Sequence, residues 1–181
     1  FGILMLGMSM MSNAAVPLRN DPRVVELLSK FSDHPLLGML TGLCMTIIIQ
    51  SSSATIGILM AMAGQGLIPL EGAVAVILGD NIGSCITVVI ATIQSGLNAK
   101  RVAMSHVMFN LIGSIIALTL MHQYIAMVRA ISPAGNIGRQ IANAHTLFNV
   151  VNTCLFLPFA GHFTQLIKKI MPGEEPVISY Q

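Results

Sequence analysis

Between His34 and Leu70 the chain runs for 37 residues without an Asp, Glu, Lys or Arg, and that run is interrupted once, by Gln50-Ser51-Ser52-Ser53-Ala54-Thr55. An apolar stretch of this length belongs in a bilayer. Its polar centre does not, because hydroxyls and amides at membrane depth are costly unless buried in protein or lining an aqueous cavity. The flanking runs, Pro35–Ile49 and Ala54–Ile68, are each too short to cross a hydrocarbon core of about 30 Å. The pattern predicts a re-entrant hairpin over residues 35–69 with the polar cluster at its tip. The competing reading is one long tilted helix whose serines bond back to the preceding turn. A break at the tip would free backbone N–H groups beside several hydroxyls. That is the chemistry needed to hold a small anion and a hard monovalent cation.

The rest of the chain agrees with a membrane setting. Only 9% of the 181 residues are charged, against about a quarter in a soluble domain. The windows Asn81–Ala99, Val102–Val128 and Gln140–Ile167 carry no charge and reach spanning or near-spanning length. A net charge of +2 and 5% aromatic residues give no basic, aromatic-interleaved surface for nucleic acid. Cys44, Cys85 and Cys154 lack metal-ligand spacing and read as small core residues. The chain starts at Phe1, inside an apolar run and without a basic leader, which predicts that it begins within a longer protein.

The fold class expected is all-α integral membrane. Residues 1–17 read as part of a transmembrane helix. Residues 18–34 read as an amphipathic interfacial helix, with Asp21-Pro22 at its start and Val24, Val25, Leu27, Leu28 and Phe31 at helical spacing. Residues 70–98 read as a helix broken at Gly79-Asp80-Asn81-Ile82-Gly83-Ser84, where two glycines flank an acid and an amide. Asp80 is the only acidic residue deep in an apolar run. An ordinary loop between two buried helices is the other reading. Residues 99–130 and 136–171 read as spanning helices, the second with a kink at Pro158, and 172–181 as a polar tail.

An internal repeat links the last two spans. Ala103 to Asn110 and Ala142 to Asn149 share A-x-x-H-x-x-F-N at an offset of 39 residues. His106 with Asn110, and His145 with Asn149, therefore share one helical face each. They either buttress a polar site between helices or fix helix packing through hydrogen bonds. No carboxylate or thiolate shares their stripe, which speaks against a metal site on the two histidines.

Taken in order, P-L-L-G-x-x-x-G, Q-S-S-S-A-T, G-x-x-P-L-E-x-A-x-A-V-I-L-G-x-N-I-G, S-H-x-x-F-N and A-H-T-L-F-N resemble the phosphate:sodium symporter family, which includes the type II sodium–phosphate cotransporters and their bacterial relatives. The resemblance spans residues 1 to about 170. It implies one half of an inverted-repeat transporter, since members carry two Q-S-S-S repeats and this chain has one. The trailing A-H-T-L-F-N makes it most like the second, C-terminal repeat. The first repeat would come from the same polypeptide or from a second copy.

The implied activity is sodium-coupled phosphate symport across a cell membrane, with the bacterial inner membrane as its setting and Na⁺ as the coupling ion. No other cofactor is expected. Gln50, Ser51, Ser52 and Ser53 would bind phosphate. Ser51, Ser53, Thr55, Asp80 and Asn81 would supply oxygens to sodium. Gly79, Gly83, Ser84, His106, Asn110, His145 and Asn149 would support the site. Asp80 departs from the family, which often has Ala or Ser before N-I-G, and it is a candidate cation ligand or proton-sensitive group.

Other readings stand beside this one. The same fold carrying another oxyanion fits, because backbone N–H groups bind any tetrahedral oxyanion. A channel would use the same re-entrant polar loops as a filter. A purely structural membrane subunit would need no site at all. An intramembrane serine hydrolase would pair Ser52 with His106 or His145, but the chain has no G-x-S-x-G elbow, and three consecutive serines single out no nucleophile.

Overall fold

The structure, a computed structural model, describes residues 2–174; the polar tail beyond them lies outside the described residues. It is all-helical. Helix α1 (Gly2–Arg19) leads into α2 (Pro22–Asp33), which Asp21 caps by accepting from the Arg23 N–H at 2.9 Å. Leu28 and Phe31 of α2 face the core.

Two short apolar helices follow, α3 (Pro35–Ile49) and α4 (Ser52–Gly64), of 15 and 13 residues. At 1.5 Å per residue each extends only about 20 Å. Between them stand Gln50 and Ser51. Next comes α5 (Leu70–Gly83), and a single residue, Ser84, separates it from α6 (Cys85–Thr92). Helices α3 and α5 lie side by side in the same direction, Gly38 meeting Ala75, Gly42 meeting Val76 and Asp80, and the Thr46 turn meeting Gly83. The five residues 65–69 join the end of α4 to the start of α5, so α4 must run back antiparallel to α3. The two short helices therefore form a hairpin with Gln50-Ser51 at its tip.

The expected break at Gly79–Ser84 narrows to Ser84 alone. The helix continues through both glycines, and Ser84 itself keeps helical dihedrals of φ −62° and ψ −21°, its N–H bonded to the Asp80 carbonyl at 2.9 Å. The glycines serve a close approach instead. A Cβ on Gly79 would lie 2.6 Å from the Met39 carbonyl carbon and 2.8 Å from the Leu43 nitrogen. A Cβ on Gly42 would lie 2.8 Å from the Val76 carbonyl carbon. In a bilayer, lipid is as apolar as leucine, so helices associate by packing rather than by apolar burial, and small residues let the backbones touch. Gly38, Gly42 and Thr46 on α3 and Gly79 and Gly83 on α5 are that interface. Helix α5 is buried almost all round, from Gly72 to Asn81 without an exposed residue.

The third long segment also differs from its expected single span. Helix α7 (Leu97–Thr119) ends at Leu120 and α8 (Met121–Ala130) follows. Tyr124, Ile125 and Val128 of α8 are buried, and the Tyr124 hydroxyl donates to the Ala144 carbonyl of α9 (Ile137–Phe156). A short 3-10 turn at Leu157–Phe159, where Pro158 supplies no N–H, divides α9 from α10 (Ala160–Ile170). Among the described residues, Leu70–Thr92, Leu97–Thr119 and Ile137–Ile170 are long and apolar enough to span a bilayer. The chain is a membrane protein. Cys85 is buried, but Cys44 and Cys154 are exposed on the chain's surface rather than in its core.

Candidate functional site

The tip is built by a change of backbone hand. Gln50 adopts φ 55° and ψ 27°, the only left-handed non-glycine conformation among the described residues, and its N–H closes α3 on the Thr46 carbonyl at 2.7 Å. Such a conformation costs an ordinary residue about 1–2 kcal/mol and concentrates at functional sites. Ser51 then extends, with φ −147° and ψ 103°, and caps α4 by accepting from the Ala54 N–H at 3.3 Å. Thr55 closes the first turn: its N–H and its hydroxyl both donate to the Ser51 carbonyl, at 3.1 and 3.3 Å.

Two opposite helix ends therefore meet at one point. The C-terminus of α3 offers carbonyl oxygens and a partial negative charge. The N-terminus of α4 offers amides and a partial positive charge, and the first N–H groups of a helix, here those of Ser52 and Ser53, have no intrahelical acceptor.

A cavity of about 170 Å³ opens at this point. It is lined by Thr46, Gln50, Ser51, Ser52, Ser53, Ser84 and Thr87, all bearing hydroxyls or an amide and none charged. The two polar interruptions of the sequence thus come together here. Ser84 and Thr87 arrive from the start of α6, the Ser84 hydroxyl donating to the Asn81 carbonyl at 2.8 Å and the Thr87 hydroxyl to the Ser84 carbonyl at 3.0 Å.

Behind the cavity wall lies the one acid of this region. Asp80 is fully buried. Its Oδ1 accepts from the Thr46 hydroxyl at 2.5 Å, and the Thr46 and Thr55 hydroxyl oxygens are 3.3 Å apart. Its Oδ2 has no hydrogen-bond partner among the described residues.

The residues singled out in the sequence divide accordingly. Gln50, Ser51, Ser52, Ser53 and Ser84 share the cavity. Ser51, Thr55 and Asp80 share the network behind it. Asn81 is buried, but its side-chain amide donates to the Ile77 carbonyl of its own helix at 2.8 Å. Asn110 and Asn149 do the same, donating to the His106 and His145 carbonyls at 3.0 and 2.9 Å. Asn110 also reaches the Cys85 sulfur at 3.3 Å, which ties α7 to α6. Gly79 and Gly83 hold α5 against α3. Thr46 and Thr87 were absent from the sequence-based set. Thr46 continues the Gly38, Gly42 stripe at intervals of four, which was the available sign that it faces another helix.

Residues 3–148 match the model of a family described as Na+/Pi-cotransporter. The uncharacterized protein YqeW of Bacillus subtilis (strain 168) is 38% identical over 132 residues, which is 73% of this chain and 43% of that protein. The putative inorganic phosphate export protein YjbB of Escherichia coli (strain K12) is 26% identical over 121 residues, 67% of this chain and 22% of that protein. Sodium-dependent phosphate transport protein 2A of Rattus norvegicus is 34% identical over 64 residues, 35% of this chain and 10% of that protein. The chain spans less than half the length of these curated relatives. No solved structure matches it.

Proposed function

The chain belongs to the Na+/Pi-cotransporter family, a family of transporters rather than enzymes, and from that membership we propose that it carries inorganic phosphate across a membrane by symport with sodium. The observation that carries the reading is the uncharged, hydroxyl-lined cavity at the junction of α3, α4 and α6. Phosphate at neutral pH bears between one and two negative charges. An arginine clamp would hold it tightly and release it slowly, whereas helix N-termini and hydroxyls supply moderate affinity, as a transport site requires.

In this reading Gln50, Ser51, Ser52 and Ser53 donate to phosphate, with Ser84 and Thr87 as the opposite wall. The Ser51, Ser53, Thr55, Asp80 and Asn81 oxygens serve sodium, together with the carbonyls that end α3. Gly79, Gly83, His106, Asn110, His145 and Asn149 hold the helices that frame the site. A second Q-S-S-S repeat, from the same polypeptide or a second copy, completes the phosphate shell, and the bilayer is a bacterial inner membrane. Sodium beside phosphate offsets its charge, so each ligand raises the affinity for the other.

The test is uptake of radiolabelled phosphate into proteoliposomes holding the complete polypeptide, with and without an inward Na⁺ gradient, beside Ser52→Ala. A hydrogen bond to a charged group contributes about 1.5–3 kcal/mol, so the variant should lose at least about tenfold in phosphate affinity while still inserting. Sulfate and arsenate as competitors rank the oxyanions. Uptake that ignores sodium, or that Ser52→Ala leaves intact, removes the proposal.

A further inference from the structure

Thr46 belongs to both halves of the site. The residue lines the cavity of the Gln50–Ser53 tip, and its hydroxyl donates to Asp80 at 2.5 Å across the α3–α5 interface. Asp80 is 0% exposed, and its Oδ2 is without a hydrogen-bond partner among the described residues. The ion pairs among the described residues, Lys30 with Glu26 and Arg129 with Glu71, leave Asp80 aside. A buried carboxylate in this position calls for a compensating charge. A relay of oxygens leads away from it: the Thr46 hydroxyl, the Thr55 hydroxyl 3.3 Å from that, and the Ser51 carbonyl 3.3 Å from the Thr55 hydroxyl. One carboxylate with neutral oxygens suits a hard monovalent cation; a divalent ion takes a larger, more highly charged oxygen shell.

We propose that a sodium ion on Asp80 switches the Thr46 hydroxyl from the carboxylate to the phosphate, so that this one proton couples the two ligands. While the hydroxyl serves Oδ1, its proton is engaged and faces away from the cavity. A cation on the carboxylate takes the hydroxyl oxygen as a ligand through a lone pair and repels its proton. The proton then turns toward the other polar space that Thr46 borders, the cavity lined by the Gln50–Ser53 tip, Ser84 and Thr87. Phosphate gains a donor only in the sodium-loaded state, and by reciprocity sodium binds more tightly once phosphate is present. Thr55 does not line the cavity and so cannot take this part. The glycine contacts fix α3 against α5, so the switch is a side-chain rotation and not a helix movement.

This inference rests on the sodium–phosphate reading above, and its test separates the two. Equilibrium binding of inorganic phosphate to the complete polypeptide in detergent is measured over rising Na⁺, with choline holding ionic strength constant. In the wild type a coupling of ordinary size raises phosphate affinity about 5- to 150-fold. In Thr46→Val, which keeps the shape and removes the hydroxyl, the rise should fall to about twofold or less. Thr46→Ser should restore the rise. Asp80→Asn should flatten it in the same way, and decides the matter if the valine variant does not fold. A full sodium response in either Thr46→Val or Asp80→Asn overturns the switch and leaves the symport reading standing. A wild type whose phosphate affinity ignores sodium removes both.

Discussion

Replacing Gly79 with alanine tests the architecture at its tightest point. The new methyl would lie 2.6 Å from the Met39 carbonyl carbon and 2.8 Å from the Leu43 nitrogen, with the Met39 oxygen nearer still. These are backbone atoms of another helix, so no rotamer change relieves the contact. Restoring an ordinary 3.4 Å separation requires α3 and α5 to part by at least about 0.8 Å. Overpacking of this kind costs about 1–3 kcal/mol, and the rigidity of both backbones places this site near the upper end. The same displacement stretches the Thr46–Asp80 hydrogen bond from 2.5 Å past the range of about 2.5–3.0 Å in which hydroxyl hydrogen bonds form. The variant should therefore lose stability and phosphate transport together. Thermal unfolding of the complete polypeptide in detergent, read beside proteoliposome uptake, measures both. Gly64→Ala is the control, because a Cβ at Gly64 meets nothing within 4 Å and alanine is the better helix former by about 1 kcal/mol. A Gly79→Ala protein as stable and active as Gly64→Ala would refute the claim that these helices touch backbone to backbone.

Two further substitutions separate backbone from side-chain roles. Gln50→Gly should leave the fold as stable as the wild type or more so, because glycine accepts φ 55° without penalty, whereas β-branched Gln50→Val should lower the unfolding temperature at a cost of about 1–2 kcal/mol. Asn149→Ala removes a bond to the residue's own helix carbonyl and should cost below about 1 kcal/mol in the same unfolding assay.

How much of this was legible in the sequence depends on whether the information was local. The apolar runs, their lengths and the polar cluster between them are local properties, and they lead directly to an all-helical membrane chain with two half-length helices meeting at Gln50-Ser51. The Asp21-Pro22 pair opens α2 for an equally local reason, a side-chain cap followed by a residue that needs no acceptor. Gly79 and Gly83 show where local reading stops. Glycine serves both helix breaks and helix contacts, and only the presence of α3 against α5 decides between them. The helix end at Leu120 has no breaker residue to announce it; burial of Tyr124 and Val128, with the Tyr124 hydroxyl on the Ala144 carbonyl of α9, accompanies it. Thr46 was overlooked because a threonine in an apolar helix commonly bonds back to its own preceding turn, as Thr41 does to the Leu37 carbonyl at 2.9 Å. Its partner lies 34 residues away, and nothing in the intervening chain marks the pairing.

The backbone contact between α3 and α5 has a mechanical consequence. Packed helices slide past one another when their interfacial side chains change rotamer in small steps. At Gly42 and Gly79 there are no side chains to change: backbone meets backbone, so a slide must first part the two helices. In the proposed transport cycle, α3 and α5 would therefore travel as a single beam carrying Asp80 and Thr46, with the moving joints where side chains, rather than backbones, make the contact.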